Sequence, residues 1–390
     1  MHFDLLIVGG GLAGLSLAAA LRETRLKIAL VENRAPTPAI GWDARVYAIT
    51  PANAEFLDAI GAWKHLAHER IAPIHAMKVV GDTGGRIDFS AYEAGVDELG
   101  WIVESSLVAC ELWESVKRQA NLTLLCPASP RAVERDEKAL TLTLAGGERL
   151  STRLIVGADG RESWVRAACG LTATSRAYGE MGVVANFECA LPHRGVARQW
   201  FRDDGVLAWL PLAGGDGVHR FSIVWSTPTG DAEALLELAP EELCARVREA
   251  GNDELGELKL ITRPAAFPLY LMRVPNTVAP RVALVGDAAH ALHPLSGHGI
   301  NLGFEDARAL AGLIAATPEW QDIGAERLLK RYQRARREET LVLQTATDAL
   351  RKLFRETLPG VKALRNAGLA LSNAAPVVKN ALVRYALGAF

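Results

Sequence analysis

Three glycines, Gly9, Gly11 and Gly14, stand between an apolar run and a Leu/Ala-rich run close to the start of the chain. Residues 4–8, Asp-Leu-Leu-Ile-Val, read as a buried parallel strand. Residues 12–23 read as a helix and residues 27–32 as a second strand. In such a strand-turn-helix unit the first glycine permits a tight turn. The second lets backbone approach a pyrophosphate, and the third lets helix and strand pack closely. The backbone of Leu12 and Ala13 then lies in the first helical turn, at its positive end. Glu32 ends the second strand, where a carboxylate can accept hydrogen bonds from an adenosine ribose. A glycine-rich turn alone would leave a purely structural reading open. The strand, helix and acid together favour a bound dinucleotide without saying which one.

The rest of the chain is organised around that opening. Residues 153–158 and 281–286 read as two further buried strands, each ending at an acid beside a glycine. Between them lies material of a different kind. Residues 76–90 suggest a hairpin turning at Gly84-Gly85, and short strands are expected at 183–189, 196–201, 206–210 and 219–225. From about residue 301 the pattern is helical. The expected fold is α/β, with a Rossmann-like dinucleotide-binding domain, an inserted antiparallel β-sheet substrate domain and a helical C-terminus. The expected boundaries are 1–70, 101–178 and 271–340 for the first, 71–100 and 179–270 for the second, and 341–390 for the helices.

Composition narrows the classes of function. A net charge of −2 gives no field for nucleic acid. Five cysteines, with no CxxC pair, argue against a disulfide framework or a zinc site. The N-terminus lacks a basic leading segment, so a signal peptide is not expected, and no apolar run reaches the length of a bilayer span.

Two later stretches resolve which nucleotide. Residues 154–166 read Leu-Ile-Val-Gly-Ala-Asp-Gly-Arg-Glu-Ser-Trp-Val-Arg. Residues 286–306 read Gly-Asp-Ala-Ala-His-Ala-Leu-His-Pro-Leu-Ser-Gly-His-Gly-Ile-Asn-Leu-Gly-Phe-Glu-Asp. With these, nearly the whole chain resembles the single-component flavoprotein aromatic hydroxylases related to para-hydroxybenzoate hydroxylase, and within them the ubiquinone-biosynthesis hydroxylases. The resemblance implies that Asp159 and Gly160, with Ser163 and Arg166, form the Asp-Gly motif near the pyrophosphate. It implies that Gly286 and Asp287 form the Gly-Asp motif, whose acid meets the ribityl chain. Arg45 matches an arginine near flavin and pyrophosphate. His293, Pro294, Gly297, Gly299, Asn301 and Gly303 match the signature loop, with Ile300 inside it. Two departures stand out. His298 occupies a position usually held by Gln, and Ser106 and Ala109 fall where an Arg and a Gln usually meet the flavin. Binding then leans more on Arg45 and the glycine loops.

The same resemblance implies the chemistry. FAD is the resident cofactor, NAD(P)H a transient cosubstrate that gives hydride and leaves, and O2 reacts through a flavin C4a-hydroperoxide attacked by an electron-rich phenol. The cofactor carries the reaction, so the protein need only position the ring and exclude water. The active-site loop is assigned to His293, Pro294, Gly297 and His298, with no general base. A helix starting near Asn301 would direct its positive end at the reduced flavin.

Individual residues admit other readings. His290, His293 and His298 have no Cys or carboxylate at ligand spacing, so no metal is expected. His65 and His68 fit an exposed helix. Asp159 could simply cap the helix after it. Trp209 and Trp225 could stack on a substrate or fill the core of the inserted sheet.

The implied substrate is a prenylated phenol or quinone precursor. From Arg351 onward the chain carries Arg351, Lys352, Arg355, Lys362, Arg365, Lys379 and Arg384 against the single acid Glu356. Leu353, Phe354, Val361, Leu364, Leu369, Leu371, Val377, Val378, Leu382 and Leu387 lie between them. That pattern fits either a basic amphipathic pair at a membrane surface or helices packed on the catalytic body. The expected location is cytoplasmic, peripheral on the inner membrane face, with a ubiquinone-biosynthesis complex as a further partner. Three competing functions stand beside this reading, the last two disfavoured because the motifs at 159 and 287 exceed what a regulatory module or a carrier needs. They are a soluble hydroxylase of a small aromatic acid, a non-catalytic dinucleotide-binding regulatory module, and a prenyl-lipid carrier. A flavin-dependent halogenase is disfavoured because no two tryptophans are spaced by one residue.

Overall fold

The computed structural model describes residues 1–136, 139–214, 216–356, 358–374 and Lys379. Arg384, Val377, Val378, Leu382 and Leu387 of the tail lie outside the described residues.

The opening strand His2–Val8 pairs in parallel with Arg149–Gly157 on one side and Ile28–Val31 on the other. Leu122–Leu125 extends the sheet beyond Ile28–Val31, and Val282–Leu284 extends it beyond Arg149–Gly157, both in parallel. The Val, Ile and Leu side chains of His2–Val8, Ile28–Val31, Arg149–Gly157 and Val282–Leu284 are buried on both faces, as parallel strands under helices are, while Leu122, Leu124 and Leu125 at the edge are half-buried. Because the strands run the same way, Gly9, Glu32, Ala158-Asp159 and Val285-Gly286 all emerge at one carboxyl edge. Open α/β sheets bind ligands at that edge. The helix Leu12–Ala20 stops a turn earlier than its composition suggests. The Arg22 and Thr24 side chains fold back on the Ala19 and Leu21 carbonyls and close it.

The inserted material builds a second sheet. Its order runs His290–Ala291, Ala265–Arg273, Thr174–Cys189, His219–Pro228, Gly205–Leu212, Val196–Arg202, Ala76–Val80, Arg86–Ser90. The hairpin at 76–90 forms with its turn at the expected glycines. Thr174–Cys189 is one continuous strand, so the boundary expected at 178/179 falls inside it. One face of this sheet carries Phe187, Leu207, Trp209, Phe221, Ile223 and Trp225 under the helices Thr229–Glu237 and Pro240–Ala250. Trp209 and Trp225 are each 1% exposed there. Core packing therefore accounts for both tryptophans.

A small third sheet joins Val46–Ile49, Gly100–Glu104 and Ala72–Ile74. His65 and His68 are exposed, but on two single 3-10 turns rather than one helix.

The long helix Glu326–Arg355 binds both large sheets together. Tyr332 donates its hydroxyl to the Leu284 carbonyl of the first sheet at 2.8 Å. About two turns past Arg336, Gln344 donates to Met272 and Ala291 of the second. The helix Pro359–Ala374 then docks on the hairpin turn, where buried Arg365 pairs with Asp82. Among the described residues no helix is long and apolar enough to cross a membrane.

Candidate functional site

The glycines at the sheet edge divide into two kinds. Gly9 has φ +110°, and a Cβ there would lie 2.3 Å from the Ala158 carbonyl oxygen. A Cβ on Gly14 would lie 2.1 Å from the Gly9 carbonyl. These two serve packing. On Gly11, Gly160 and Gly299, by contrast, a Cβ would meet no atom within 4 Å. Their bare backbone borders open space that a flat or phosphorylated group can approach.

Two helices begin at this edge, Leu12–Ala20 and Gly299–Ala315. Neither has a side-chain cap on its first turn. The amide groups of Leu12, Ala13 and Gly14, and of Gly299, Ile300 and Asn301, therefore lack intrahelical acceptors and carry the positive pole of each helix. Such a pole suits an anionic group. Glu32 accepts from Gly10 and from Arg34, at 2.5 and 2.9 Å, which fixes its carboxylate beside the first helix.

Arg45 and Asp287 come together through a residue the motifs did not indicate. Both side chains are exposed, and both act electrostatically on Tyr47, whose ring lies 5.5 Å from the Arg45 guanidinium. Burial pushes the Tyr47 phenol up, and Arg45 opposes that shift. Asp43 orders the same segment. It accepts from the Arg45 amide and, through its other oxygen, from the Ser106 amide, each at 2.9 Å. The helix Ser105–Lys117, lacking the usual Arg and Gln at 106 and 109, is thus braced from the Arg45 loop by backbone contact.

The Asp159 carboxylate is spent on its own turn. It accepts from Ser163 at 2.5 Å and from the Val165 amide at 3.0 Å, so the capping reading describes its side chain. Arg166 donates to the carbonyls of Ala288 and Arg161 and ties the Asp-Gly turn to the Gly-Asp turn. Gly160, at φ +79°, presents its backbone at the bend between them.

The signature loop is held from within. Asn301 is 1% exposed, donates to the carbonyls of Ala48 and Gly297 and accepts from the Thr50 amide. Its side chain pins the loop to the strand Val46–Ile49 rather than facing open space. Gly297 has φ +65°, the left-handed bend after the short turn Pro294–Ser296. His298 follows at the N-cap position of the next helix.

Two histidines read as loop residues have strong partners. His290 is buried against Asp306 at 2.7 Å, and Asp306 also accepts from the Gly286 amide at 3.0 Å and from Arg336. His293, 1% exposed, meets Glu180 at 3.2 Å, and Glu180 in turn meets Arg351 and Arg355. No spacing rule pointed to Asp306, Arg336 or Glu180 as supports. Glu180 and Arg336 are brought in from distant segments, while Asp306 stood inside the quoted motif. Among the described residues no group of three or more His, Cys, Asp or Glu side chains could hold a metal.

With this geometry in hand, comparison with known proteins is specific. The family model described as "FAD binding domain" matches residues 2–346. Ubiquinone hydroxylase UbiL of Rhodospirillum rubrum is 35% identical over 99% of this chain and 89% of its own length. The 3-demethoxyubiquinol 3-hydroxylase of Escherichia coli is 30% identical over 99% of this chain and 98% of its own. Among solved structures, PqsL of Pseudomonas aeruginosa with 2-aminobenzoylacetate superposes with a TM-score of 0.80 at 24% identity, covering 95% of this chain and 99% of that one. A glycine cradle with open backbone, two uncapped helix ends and full-length similarity to flavin enzymes agree, and the chain belongs to the FAD binding domain family, as an FAD-dependent aromatic hydroxylase.

Proposed function

We propose that this enzyme hydroxylates the aromatic ring of a prenylated phenol on the route to ubiquinone, using NAD(P)H and O2. The observation that carries the reading is full-length similarity to ubiquinone hydroxylases, together with a sheet edge whose open glycines suit FAD. In this reading the backbone of Gly11, Leu12, Ala13 and Gly14 receives the pyrophosphate on the close turn that Gly9 permits, Glu32 receives the adenosine ribose, and Arg45, Asp287 and the backbone of Asp159, Gly160 and Gly286 receive the middle of the cofactor. Gly299, Ile300 and Asn301 lie at its ring.

FAD, when bound, supplies hydride acceptance and oxygen chemistry. The chain's own residues do the rest. The first-turn amides of Gly299–Ala315 stabilise negative charge at the ring edge. The loop His293, Pro294, Gly297 and His298 and the inner sheet face seat the phenol. Apolar Phe201, Val206 and Leu295 cluster there and keep water away, which suppresses unproductive peroxide release. NAD(P)H needs no second glycine fingerprint if it visits and leaves.

The terminal helix supports contact with a membrane surface, where such a substrate resides. Its polarity is inverted. Arg365 and Asn366 are buried at 4% and 6%, while Leu364 and Leu371 stand 72% and 73% exposed. Leu358, before the helix, is 62% exposed. Polar groups hold the protein and leucines face outward, the arrangement expected of a helix that lies on lipid.

Deleting the gene and measuring extracted quinone lipids by mass spectrometry tests the main reading. Accumulation of a prenylated phenol lacking one ring oxygen is expected. An unchanged quinone profile would remove the proposal and favour a soluble aromatic acid. For the membrane reading, Leu364→Glu with Leu371→Glu should abolish sedimentation with anionic vesicles. Sedimentation equal to that of the unmodified protein would exclude this helix as the contact.

A further inference from the structure

Glu180 is a buried carboxylate at a three-way junction. It projects from Thr174–Cys189, a strand of the inserted sheet, and is 4% exposed. Arg351 grips it with two nitrogens, Nε to Oε2 and Nη2 to Oε1, each at 2.9 Å. Arg355 adds Nη1 to Oε1 at 2.5 Å. Both arginines belong to the long helix Glu326–Arg355. The third partner is His293, at the start of the signature loop.

The hydrogen bonds around His293 assign its proton. The Leu295 amide donates to Nδ1 at 3.2 Å, so Nδ1 is an acceptor and the ring proton of the neutral form sits on Nε2. Nε2 then donates to Glu180 Oε2 at 3.2 Å. The ring is held at both nitrogens, and Tyr178 packs edge-on against it with centroids 5.2 Å apart. Through Nδ1 the same ring caps the turn Pro294–Ser296 that leads to Gly297. Leu295 in that turn packs with Phe201, Val206 and Phe354, and Phe354 comes again from the long helix. The position of the turn is thus set by one carboxylate, and that carboxylate is set by the helix.

We propose that Glu180 is a positioning residue for hydroxylation: acting through His293, it holds the turn 294–297 in the form that seats the phenol ring, and it does so only when the long C-terminal helix is docked through Arg351 and Arg355. The inference rests on the hydroxylase reading for its substrate but on this chain's own contacts for its geometry. It makes the C-terminal helix part of the active-site support. Movement of that helix is then felt at the loop without any residue of the helix touching substrate.

The test combines Glu180→Gln, His293→Asn and the double variant, with 2-prenylphenol as substrate probe. The expected result for Glu180→Gln is about tenfold less product per NAD(P)H consumed, with the balance as hydrogen peroxide, because misplacement of a reacting group by about 1 Å can cost up to 100-fold. FAD affinity, read by flavin fluorescence, should stay within about threefold. The double variant should lose no more than His293→Asn alone, because residues acting through one another are not additive. Full multiplication of the two losses, or unchanged coupling in Glu180→Gln, would overturn the proposal. A second readout needs neither flavin nor substrate. Nitrogen-15 spectra of the FAD-free protein should show His293 with its proton on Nε2, exchanging slowly with water. Glu180→Gln should speed that exchange at least tenfold, and an unchanged rate would overturn the proposal. Should Glu180→Gln not fold, Arg351→Gln keeps the carboxylate while cutting its strongest link to the helix. It should move coupling and exchange in the same direction, and no movement in either would overturn the dependence on the helix. Failure of the unmodified protein to turn over the probe would count against the substrate reading alone, since the exchange measurement still decides the role of Glu180.

Discussion

The long helix clamps the two halves of the site with opposite charge arithmetic. Behind the Gly-Asp turn one arginine serves three carboxylates. Arg336 meets Glu305 at 2.8 Å, Asp306 at 2.9 Å and also Glu339. Behind the His-Pro turn one carboxylate, Glu180, serves two arginines and a histidine. Both clamps are buried, so desolvation works against the charged form of the acids in each. What differs is the ratio of partners. At the first clamp burial and the neighbouring Glu339 prevail over Arg336, and Glu305 rises to about 7. At the second, burial is outweighed by His293 and Arg351, and Glu180 falls to about 2. Asp306 stays low despite burial because His290 and Arg336 both face it. A buried carboxylate is thus strongly acidic or nearly neutral according to who shares its partner, and burial alone does not predict which.

The comparison breaks most visibly when the shared arginine is removed. Arg336→Leu takes the arginine from Glu305, Asp306 and Glu339 and leaves Asp306 with His290 and the Gly286 amide, so a loss of about 3–5 kcal/mol is expected in urea unfolding at pH 7. Arg351→Leu leaves Glu180 with Arg355 and His293, and a clearly smaller loss should follow. Equal losses would show that partner ratio is not what distinguishes the clamps.

A pH series sharpens it further. Because the folded value of Glu305 lies above its ordinary 4.5, its contribution to stability is full below about 4.5 and disappears as pH rises through about 7. Glu305→Gln removes that titration. Its stability relative to the unmodified chain should therefore improve between pH 5 and pH 8.5, by up to about 3 kcal/mol. Glu180 has the reverse sign. Its folded value is depressed, so its contribution holds above 4.5 and is lost as pH falls towards about 2. Parallel pH curves for Glu305→Gln and the unmodified chain would refute the assignment at the first clamp.

The smallest effect belongs to a carboxylate with no arginine on it. Asp159 is satisfied by Ser163 and the Val165 amide. Asp159→Ala should cost about 1 kcal/mol in thermal unfolding, the ordinary worth of a helix cap. A loss of several kcal/mol would mean that a third charge-based clamp operates at the Asp-Gly turn.

Much of the site was legible beforehand because its logic is local. Gly9, Gly11 and Gly14 follow one strand directly, and the backbone conformation they require depends on nearest neighbours. Gly286-Asp287 and Asp159-Gly160 could be found in the same way, as strand ends. Other roles depended on partners far along the chain. Nothing near Asn301 in sequence indicates that its amide would reach Ala48. Tyr47 feels both Arg45 and Asp287, which lie far apart along the chain, only once the chain has folded. Glu180 and Arg351 are 171 residues apart and carry no motif.

The sequence by itself determined the alternation of strand and helix and the parallel sheet with its glycine-lined, dinucleotide-binding edge. Those properties follow from hydrophobic period and backbone freedom, which each short segment carries with it. Only the tertiary structure decided which buried charges share a partner, which side chains of the motifs face open space and which are spent on the protein, and that the C-terminal helix reaches the signature loop. The physical reason is range. A charge buried in low dielectric is governed by whatever lies within a few ångströms, and that neighbourhood exists only after distant segments have packed.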